Sequence, residues 1–302
     1  MKFGAVIVTY NRIDHLKRSI KNYTHQTLLP DRILVVNNAS TDGTFEFLEG
    51  WKHKNEGVIK QVIHLPENSG GSGGFYTGLK QMQEYEDIDW IWVADDDAYP
   101  ALDAFEKAKQ FIEGMGSEID DVAAVCGGVG ADGRYSDIQR FYLNKSIFGV
   151  QEMPIPHKWF KKKIFDIGMY SFVGTFMKRE NLIKAGLPRK DFFIYQDDLE
   201  HAVRMRKTGR IICNTAIHIT HRDNSAPANE VSWRDYYASR NITAMYKDHF
   251  DKWSLFCRLC RRVIFASLTL NFKKTKVVLI GIKDGLKGNM GIHPVYKPGW
   301  KA

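Results

Sequence analysis

The segment WIWVADDDAY, residues 90–99, carries three consecutive carboxylates directly after a run of apolar residues. Neighbouring like charges repel and raise each other's pKa, so such a cluster needs an external positive charge. A divalent cation supplies that charge, and Mg²⁺ and Mn²⁺ prefer oxygen ligands. Side chains two positions apart on an extended chain point to the same side, so we predict that Asp95 and Asp97 bind a metal ion. The alternative is a solvated acidic turn, which the Trp-Ile-Trp-Val run disfavours.

A glycine-rich segment, ENSGGSGGF at residues 67–75, lies between a predicted strand and a predicted helix. Glycine-rich turns at a helix N-terminus let backbone N–H groups approach phosphates. The segment lacks the Gly-Lys-Ser/Thr ending of a P-loop, and it does not follow the first strand as a dinucleotide-binding glycine motif would. We predict a phosphate-binding loop, and a flexible turn explains the glycines equally well.

A third acidic segment, YQDDLE at residues 195–200, begins a predicted helix. The helix dipole favours ionised carboxylates at that position, and an ionised carboxylate near an alcohol serves as a general base. We predict that Asp197 caps the helix and that Asp198 is the base, and capping alone is the alternative. His221 follows a later strand and is a candidate third metal ligand, with His218 as the competing choice.

The elements that must position these residues alternate along the first half of the chain. Four apolar strand patterns alternate with three helical patterns before residue 125, which predicts an α/β fold with a mostly parallel, doubly wound sheet. In such a sheet, ligands bind at the carboxyl ends of the strands. Polar clusters at residues 9–12, 37–40, 68–71 and 95–97 follow the predicted strands, so we expect them to converge on one crevice.

The composition is that of a globular protein. Hydrophobic residues make up 44% and charged residues 26% of the 302 residues, enough for one large or two small domains with a sizeable core. We expect neither a signal peptide nor a transmembrane helix, because no apolar run is long enough. The four cysteines favour reduced thiols and a cytoplasmic location.

The positive charge of the chain is concentrated in its last segment. Residues 252–302 contain eleven Lys or Arg and one acidic residue, whereas the preceding residues are slightly acidic in total. Basic residues mixed with long apolar runs predict a helical region that contacts anionic membrane lipids. The alternatives are a helix pair with a solvated basic face, or a contact with a second subunit. Nucleic acid ranks last, because no nucleic-acid-binding module is visible.

Five segments in this order resemble the inverting nucleotide-sugar glycosyltransferases of family 2, whose fold is GT-A: VIVTYNR, VVNNASTDGT, NSGGSGGF, DDDA and YQDDLE. The resemblance covers residues 1–250, which we predict to be the GT-A domain, with 251–302 as a basic amphipathic region. The doubled glycines resemble the galactofuranosyltransferase branch, which uses UDP-galactofuranose. The rhamnosyltransferase branch, which uses dTDP-rhamnose, is the close alternative.

The resemblance implies a role for each matching residue. Asp95 and Asp97 would hold Mn²⁺ or Mg²⁺, joined by His221, and Asp198 would be the catalytic base. Asp197 and Trp159 are assigned to the acceptor. The donor would be bound by Thr9, Asn11, Arg12, Asn38, Asn68, Gly71, Gly73, Asp95 and Asp96.

The expected activity is therefore inverting transfer of a sugar to a hydroxyl of a growing bacterial surface glycan. The acceptor would be an oligosaccharide or a lipid-linked glycan at the inner face of the plasma membrane. A nucleotide-sugar-binding or assembly subunit without turnover is the alternative from a different class.

Overall fold

The computed structural model describes residues 1–136, 138–221 and 230–301. Strands and helices alternate through the first half as predicted. The strands are β1 (Phe3–Thr9), β2 (Arg32–Asn37), β3 (Ile59–His64), β4 (Trp90–Asp95), β5 (Tyr99–Pro100), β6 (Val122–Ala131), β7 (Arg134–Tyr135), β8 (Arg140–Ser146), β9 (Gly149–Pro154), β10 (Ile164–Asp166), β11 (Met169–Tyr170), β12 (Thr175–Lys178) and β13 (Arg210–Thr220). The α-helices are α1 (Ile13–Thr24), α2 (Thr44–Lys52), α3 (Gly70–Met82), α4 (Ala104–Gly114), α5 (Arg179–Ala185), α6 (Asp197–Arg206), α7 (Trp233–His249), α8 (Lys252–Leu268) and α9 (Phe272–Lys287). Short 3₁₀ helices cover Gly116–Asp121, His157–Lys161 and Lys190–Phe192.

The central sheet has the strand order β10-β13-β6-β12-β4-β1-β2-β3. The pairs β1–β2, β2–β3, β1–β4 and β6–β13 are parallel, and β12 runs antiparallel between β4 and β6. A separate antiparallel sheet has the order β11-β8-β9. The prediction of an α/β fold with a mostly parallel central sheet is confirmed.

Strand β1 shows why both faces of this sheet are covered by helices. Val6 and Val8 belong to one apolar cluster with residues of α3, while Ala5 and Ile7 belong to the other with residues of α1 and α4. Successive strand side chains point to opposite faces, so an uninterrupted apolar strand needs cover on both sides. The sheet therefore presents its strand ends, rather than a face, to ligands.

The glycine-rich segment is mostly helix, which corrects the predicted loop. Helix α3 begins at Gly70, and its Gly74 and Gly78 face the side chains of Val8 and Val6 on β1. A Cβ atom on Gly74 would lie 2.5 Å from Val8 Cγ1, closer than real Cβ atoms come. Glycine is therefore required here for the close packing of α3 on β1, and a flexible turn does not explain it.

The C-terminal helices are packed onto the body of the protein. Helix α8 begins at Lys252, close to the boundary predicted after residue 250, and α9 lies along α7. Beyond α9, the backbone of Lys301 pairs with that of Ser232, and Trp233 N donates to Trp300 O at 3.3 Å. Within the described ranges, no helix is both long and apolar enough to span a bilayer.

Candidate active site

An open cleft of about 540 Å³ lies at the carboxyl ends of β1, β2 and β4. One half of its lining comes from the strand ends and the start of α3: Val8, Thr9, Tyr10, Arg12, Asn38, Asn68, Gly70, Gly71, Asp95 and Asp96. The other half comes from later in the chain: Phe193, Ile194, Glu230, Ser232, Trp233, Arg234, Pro298, Gly299, Trp300 and Lys301. The predicted convergence of the polar strand ends is thus present in the structure.

The backbone turns within the triple aspartate, so the chain does not stay extended there. Strand β4 ends at Asp95, and Ala98 N donates to Asp95 O at 3.2 Å, which closes a turn over Asp96 and Asp97. The sequence argument that Asp95 and Asp97 share one side of a strand does not apply to this geometry. Their proximity comes from the turn instead.

Two of the three carboxylates are held by residues at the end of β1. Thr9 Oγ1 donates to Asp96 Oδ2 at 2.6 Å. Arg12 Nη1 lies 2.5 Å from Asp97 Oδ2 and 3.5 Å from Asp96 Oδ1. These contacts tie the first and fourth strand ends together. Predicted donor-binding residues and predicted metal ligands therefore form one network.

The surroundings of the three carboxylates shift their pKa values in different directions. Burial, followed by the charges of Asp97 and Asp96, raises the pKa of Asp95 well above its ordinary value. Burial raises the pKa of Asp96 to about 6, although the Thr9 hydroxyl and Arg12 oppose the shift. Burial acts in the same direction on Asp97, but a hydrogen bond from His221 and the charge of Arg12 outweigh it, so its pKa is lowered.

The donor set suits a hard divalent cation. Asp95 and Asp97 offer carboxylate oxygens, and His221 Nε2 lies 3.4 Å from Asp97 Oδ1. Burial and then the charges of Asp97 and Asp96 outweigh His221 and Arg12 and raise the pKa of Asp95, and a bound cation would oppose this rise. Across the part of the chain that the structure describes, no group of three or more His, Cys, Asp or Glu is already arranged around a metal position. His218 is exposed, so His221 rather than His218 is the histidine at the carboxylates.

Asn38 organises the start of α3. Its Oδ1 accepts from both N and Oγ of Ser69, at 2.9 and 3.0 Å, and its Nδ2 donates to Asn68 Oδ1 and Gly70 O. Asn38 is 2% exposed, so these bonds replace its contacts with water. The predicted donor-binding amide is thus engaged with the glycine-rich segment.

Gly70 joins this segment to the acidic helix α6. Its φ is +73°, and a Cβ atom there would lie 1.9 Å from the carbonyl oxygen of Phe193. Ser72 N donates to the same oxygen at 3.2 Å. Only glycine fits at this crossing, where two predicted site segments touch through their backbones.

Asp197 and Asp198 begin α6. The N-cap is Gln196, with no side-chain cap, so the prediction that Asp197 caps the helix is wrong. Burial raises the pKa of Asp198 to about 6, opposed by hydrogen bonds such as that from Leu199 N, at 2.7 Å to Oδ1. Burial and then Asp198 raise the pKa of Asp197 well above normal, with a further contribution from Asp95. The two acidic motifs therefore interact electrostatically.

The backbone just before these aspartates is strained. Phe193, Tyr195 and Gln196 all have positive φ values, of 65°, 66° and 67°. Such conformations cost non-glycine residues about 1–3 kcal/mol each and persist only where surrounding contacts impose them. The position of Asp198 therefore depends on the contacts that keep residues 193–196 in this conformation.

The holding contacts come from α7, in the RN pair of the YYASRN segment. Asn241 Nδ2 lies 3.0, 2.8 and 2.9 Å from the carbonyl oxygens of Phe192, Ile194 and Tyr195. Arg240 Nη2 donates to the carbonyl oxygen of Phe192 at 3.0 Å. Both side chains are buried. Sequence reasoning gave them no role, although a polar pair inside a helix otherwise rich in apolar residues was the available signal.

Arg140 is a second buried residue that sequence reasoning missed. It is 1% exposed and donates to the carbonyl oxygens of Gly127, Val173 and Gly174. Its charge also opposes the rise in the pKa of Asp198. A lone arginine in the segment IQRFYLN, for which no element was predicted, was the available signal.

Seven predicted residues are not part of the cleft lining: Asn11, Gly73, Asp97, Trp159, Asp197, Asp198 and His221. Asn11 lies at its rim, where Oδ1 accepts from Thr41 N at 2.7 Å. Gly73 is buried within α3. Trp159 packs edge-on to Phe165 and contacts Tyr142, and it is not a cleft residue.

The opposite wall of the cleft was also missed. It contains Trp233 and Arg234 at the start of α7, with Trp300 and Lys301 near the end of the chain. Aromatic and basic residues suit a sugar ring and a phosphate. The segments SWR and PGWK carry this pairing, but nothing local indicates that they meet the strand ends.

Comparison with known proteins fits this geometry. The family model described as Glycosyl transferase family 2 matches residues 5–182, which is more than half of the chain. This chain belongs to glycosyltransferase family 2. The match includes the triple aspartate and the glycine-rich helix but ends before α6.

Curated relatives of this family 2 glycosyltransferase align over part of their length. The galactofuranosyltransferase GlfT1 of Mycobacterium tuberculosis is 35% identical over 95 residues. That alignment covers 32% of this chain and 30% of the relative. The uncharacterized glycosyltransferase YwdF of Bacillus subtilis is 34% identical over 113 residues, 37% of this chain and 39% of the relative.

Solved structures show the fold over nearly the whole chain. TarS of S. aureus, solved with UDP-GlcNAc, has a TM-score of 0.61 at 17% identity and covers 95% of this chain and 81% of its own. A Pyrobaculum calidifontis mannosyltransferase, solved with GDP-Man and Mn²⁺, has a TM-score of 0.58 at 14% identity and covers 94% and 87%. The GT-A fold predicted from the motifs is confirmed.

Proposed function

We propose that this chain transfers galactofuranose from UDP-galactofuranose to a hydroxyl of a growing bacterial surface glycan, with inversion at the anomeric carbon. The observation that carries the proposal is that Asp95 and Asp96 line one cleft together with Phe193 and Ile194, which belong to the segment that leads into Asp198. Ser72 N of the glycine-rich helix donates to the carbonyl oxygen of Phe193 at 3.2 Å, so this segment contacts the start of α3. A donor-binding motif beside a candidate base is the arrangement that a transferase needs. The partial match to a galactofuranosyltransferase supports the choice of sugar.

The donor would lie along the strand ends. Thr9, Arg12 and Asn68 line the cleft together with Gly71 in the first turn of α3. The N-terminus of a helix favours negative charge, so this turn suits the diphosphate of a nucleotide sugar. Structures of the same fold were solved with UDP-GlcNAc or GDP-Man, which supports a nucleotide-sugar donor.

Mn²⁺ or Mg²⁺ would be held by Asp95 and Asp97, with His221 as the third candidate ligand. When bound, the cation would offset negative charge on the diphosphate of the donor. The mannosyltransferase and a GalNAc-T7 structure were solved with Mn²⁺, which supports a divalent ion. Arg12 would keep its contact with Asp97 or exchange it for phosphate, since a guanidinium matches either oxyanion.

Asp198 would accept the proton of the acceptor hydroxyl. The acceptor oxygen would form its bond to the anomeric carbon as the bond from that carbon to the diphosphate oxygen breaks and UDP leaves. A single displacement inverts the anomeric centre. Because the pKa of Asp198 is raised to about 6, the group remains ionised at neutral pH and is a stronger base than an ordinary aspartate.

The acceptor would be an oligosaccharide or a lipid-linked glycan at the cytoplasmic face of the plasma membrane. Asp197 would contact it beside the base. Trp233 and Trp300, on the cleft wall opposite the strand ends, are better placed than Trp159 to stack against a sugar ring.

The test is calorimetric titration with UDP, first with Mn²⁺ and then with excess chelator. We expect UDP binding that depends on the metal and that Asp97→Ala weakens by about tenfold or more, because a ligand of the cation is lost. Asp103→Ala is the matched control, an exposed carboxylate paired with Lys107 outside the cleft. Binding of dTDP in preference to UDP would replace the galactofuranosyl donor by a rhamnosyl donor.

Turnover is tested separately from binding. A catalyst should slowly hydrolyse UDP-galactofuranose in the absence of an acceptor, because water replaces the acceptor hydroxyl. Binding of the donor without any hydrolysis or transfer would identify a nucleotide-sugar-binding subunit instead.

A further inference from the structure

Large apolar side chains stand in solvent where α8 turns into α9. Leu268 is 70% exposed, Leu270 86% and Phe272 91%. Soluble monomers rarely expose apolar residues of this size together, and larger exposed patches mark an interaction site. This corner is therefore a candidate interaction site.

The exposed residues continue along the outer side of α8. Trp253, Phe256, Ile264 and Phe265 are each more than half exposed. On a regular α-helix the first three lie within about 80° of one another, and Phe265 lies about 100° further round from Ile264. Trp253 and Phe256 stack with ring centroids 5.6 Å apart. We refer to these four residues and the corner residues Leu268, Leu270 and Phe272 as the apolar face.

The tip of the β8–β9 hairpin extends the apolar face at its other end. Ile147 is 81% exposed and Phe148 is 58% exposed. Trp253 Nε1 donates to the carbonyl oxygen of Ile147 at 2.8 Å, so the tip lies against the start of α8. The exposed surface is thus assembled from separate elements and is not a single frayed helix.

Uncompensated lysines border this surface on α9. Lys273, Lys276, Lys283 and Lys287 are exposed, and none of them forms an ion pair with another residue in the ranges 1–136, 138–221 and 230–301. Helix α8 contains no carboxylate, and Asp284 of α9 accepts from the Tyr236 hydroxyl at 2.9 Å. The border is therefore strongly positive.

We infer that the apolar face and its lysine border bind an anionic lipid surface, with α8 and α9 lying in the plane of the headgroups. Apolar side chains would enter the acyl boundary, while the lysines would meet lipid phosphates. Neither helix is long and apolar enough to cross the bilayer, which fits an interfacial position. A second copy of the chain fits less well, because a symmetric contact would place the lysines of both copies together.

This surface is separate from the cleft. None of its residues lines the cleft, and Trp300 and Lys301 reach the cleft only after the chain has left α9. The inference therefore does not depend on the identity of the donor. Evidence against lipid binding would leave the proposed transferase activity untouched, and the reverse also holds.

The test is flotation of the purified full chain with vesicles of phosphatidylcholine, with and without about one third phosphatidylglycerol. We expect binding to the anionic vesicles only. The double variant L270S/F272S should lower the partition coefficient by about tenfold or more, because two apolar side chains no longer enter the lipid. The matched control is I59S/I183S, which removes two residues that are 53% and 49% exposed elsewhere.

Charge reversal tests the lysine border. K273E/K276E should reduce binding to anionic vesicles at least as much as L270S/F272S does. In this variant, added salt should no longer weaken vesicle binding, whereas K54E/K184E should leave binding intact. Both L270S/F272S and K273E/K276E should retain UDP binding and the far-ultraviolet circular dichroism of the parent chain. Those readouts separate loss of lipid contact from loss of fold.

Two results would overturn the inference. The first is absence of binding to anionic vesicles by the parent chain, or equal binding by L270S/F272S. The second is a dimer in sedimentation analysis that L270S/F272S converts to a monomer, which would assign the face to a second copy of the chain.

Discussion

Asp198 is the residue whose surroundings most directly serve the proposed reaction. Burial raises its pKa to about 6, while hydrogen bonds from the Leu199 and Phe172 backbone and the charge of Arg140 limit that rise. Burial and the charge of Asp198 raise the pKa of the neighbouring Asp197 well above normal, although hydrogen bonding at its own backbone opposes the shift. Asp198, with a pKa of about 6, is thus ionised at neutral pH and can accept a proton.

The first prediction at this scale concerns the base itself. Asp198→Asn should lower kcat by about a hundredfold or more, because the amide cannot accept the proton of the acceptor. The Kd for UDP with Mn²⁺ should stay within a factor of about three, since Asp198 is not a cleft-lining donor contact. Substantial turnover by this variant would remove Asp198 from the base role.

The second prediction concerns pH. Only ionised Asp198 can accept a proton, so kcat/KM at saturating Mn²⁺ should fall as the pH drops through about 6 and level off above it. Asp103→Asn, which alters an exposed carboxylate, should leave this profile unchanged. A profile that is flat from about pH 5 to 8 would contradict the assignment.

Helix α7 is the element that positions the base. Its Asn241 side chain reaches three carbonyl oxygens in the strained segment before α6, and Arg240 bonds the same segment. Ser232 begins α7 with a capping box, which fixes where the helix starts. The helix thus acts as a rigid support for backbone conformations that would otherwise relax.

The third prediction tests this support. Asn241→Ala should lower kcat by about tenfold or more with little change in KM for the donor, because the strand-end half of the cleft is untouched. Asn241→Asp should lower kcat to a similar extent, since a carboxylate cannot donate hydrogen bonds to the carbonyl oxygens. Asn289→Ala, at the surface beside Asp284, is the control. A loss confined to donor KM would refute a positioning role.

At the scale of the whole molecule, buried charge pairs connect the helices beneath the cleft. Glu200 of α6 is 3% exposed in its side chain and contacts Arg204 at 2.8 Å and His249 of α7 at 2.8 Å. Its hydrogen bonds with these partners outweigh burial and lower its pKa to about 2. Glu200 thus connects α6 to α7 through His249.

The fourth prediction measures this connection. Glu200→Gln should lower the free energy of unfolding by about 3 kcal/mol, because the partly buried Arg204 loses its charged partner. Glu180→Gln, which alters a pair whose carboxylate is 53% exposed, should change it by less than about 1 kcal/mol. The comparison uses urea midpoints at neutral pH. Equal effects of the two variants would show that Glu200 contributes no more than a surface pair.

The sequence by itself determined the alternating strands and helices, the polar residues at the strand ends, and the acidic motifs at residues 95–97 and 195–200. Local periodicity and short motifs encode these features. Only the tertiary structure decided that Arg12 pairs with Asp97, that Asn241 supports the segment before Asp198, and that Trp300 forms a wall of the cleft. It also turned the predicted glycine loop into a helix and removed Trp159 from the cleft. Such contacts join residues far apart in the chain, and their partners are chosen by packing and charge in three dimensions, which no local pattern records.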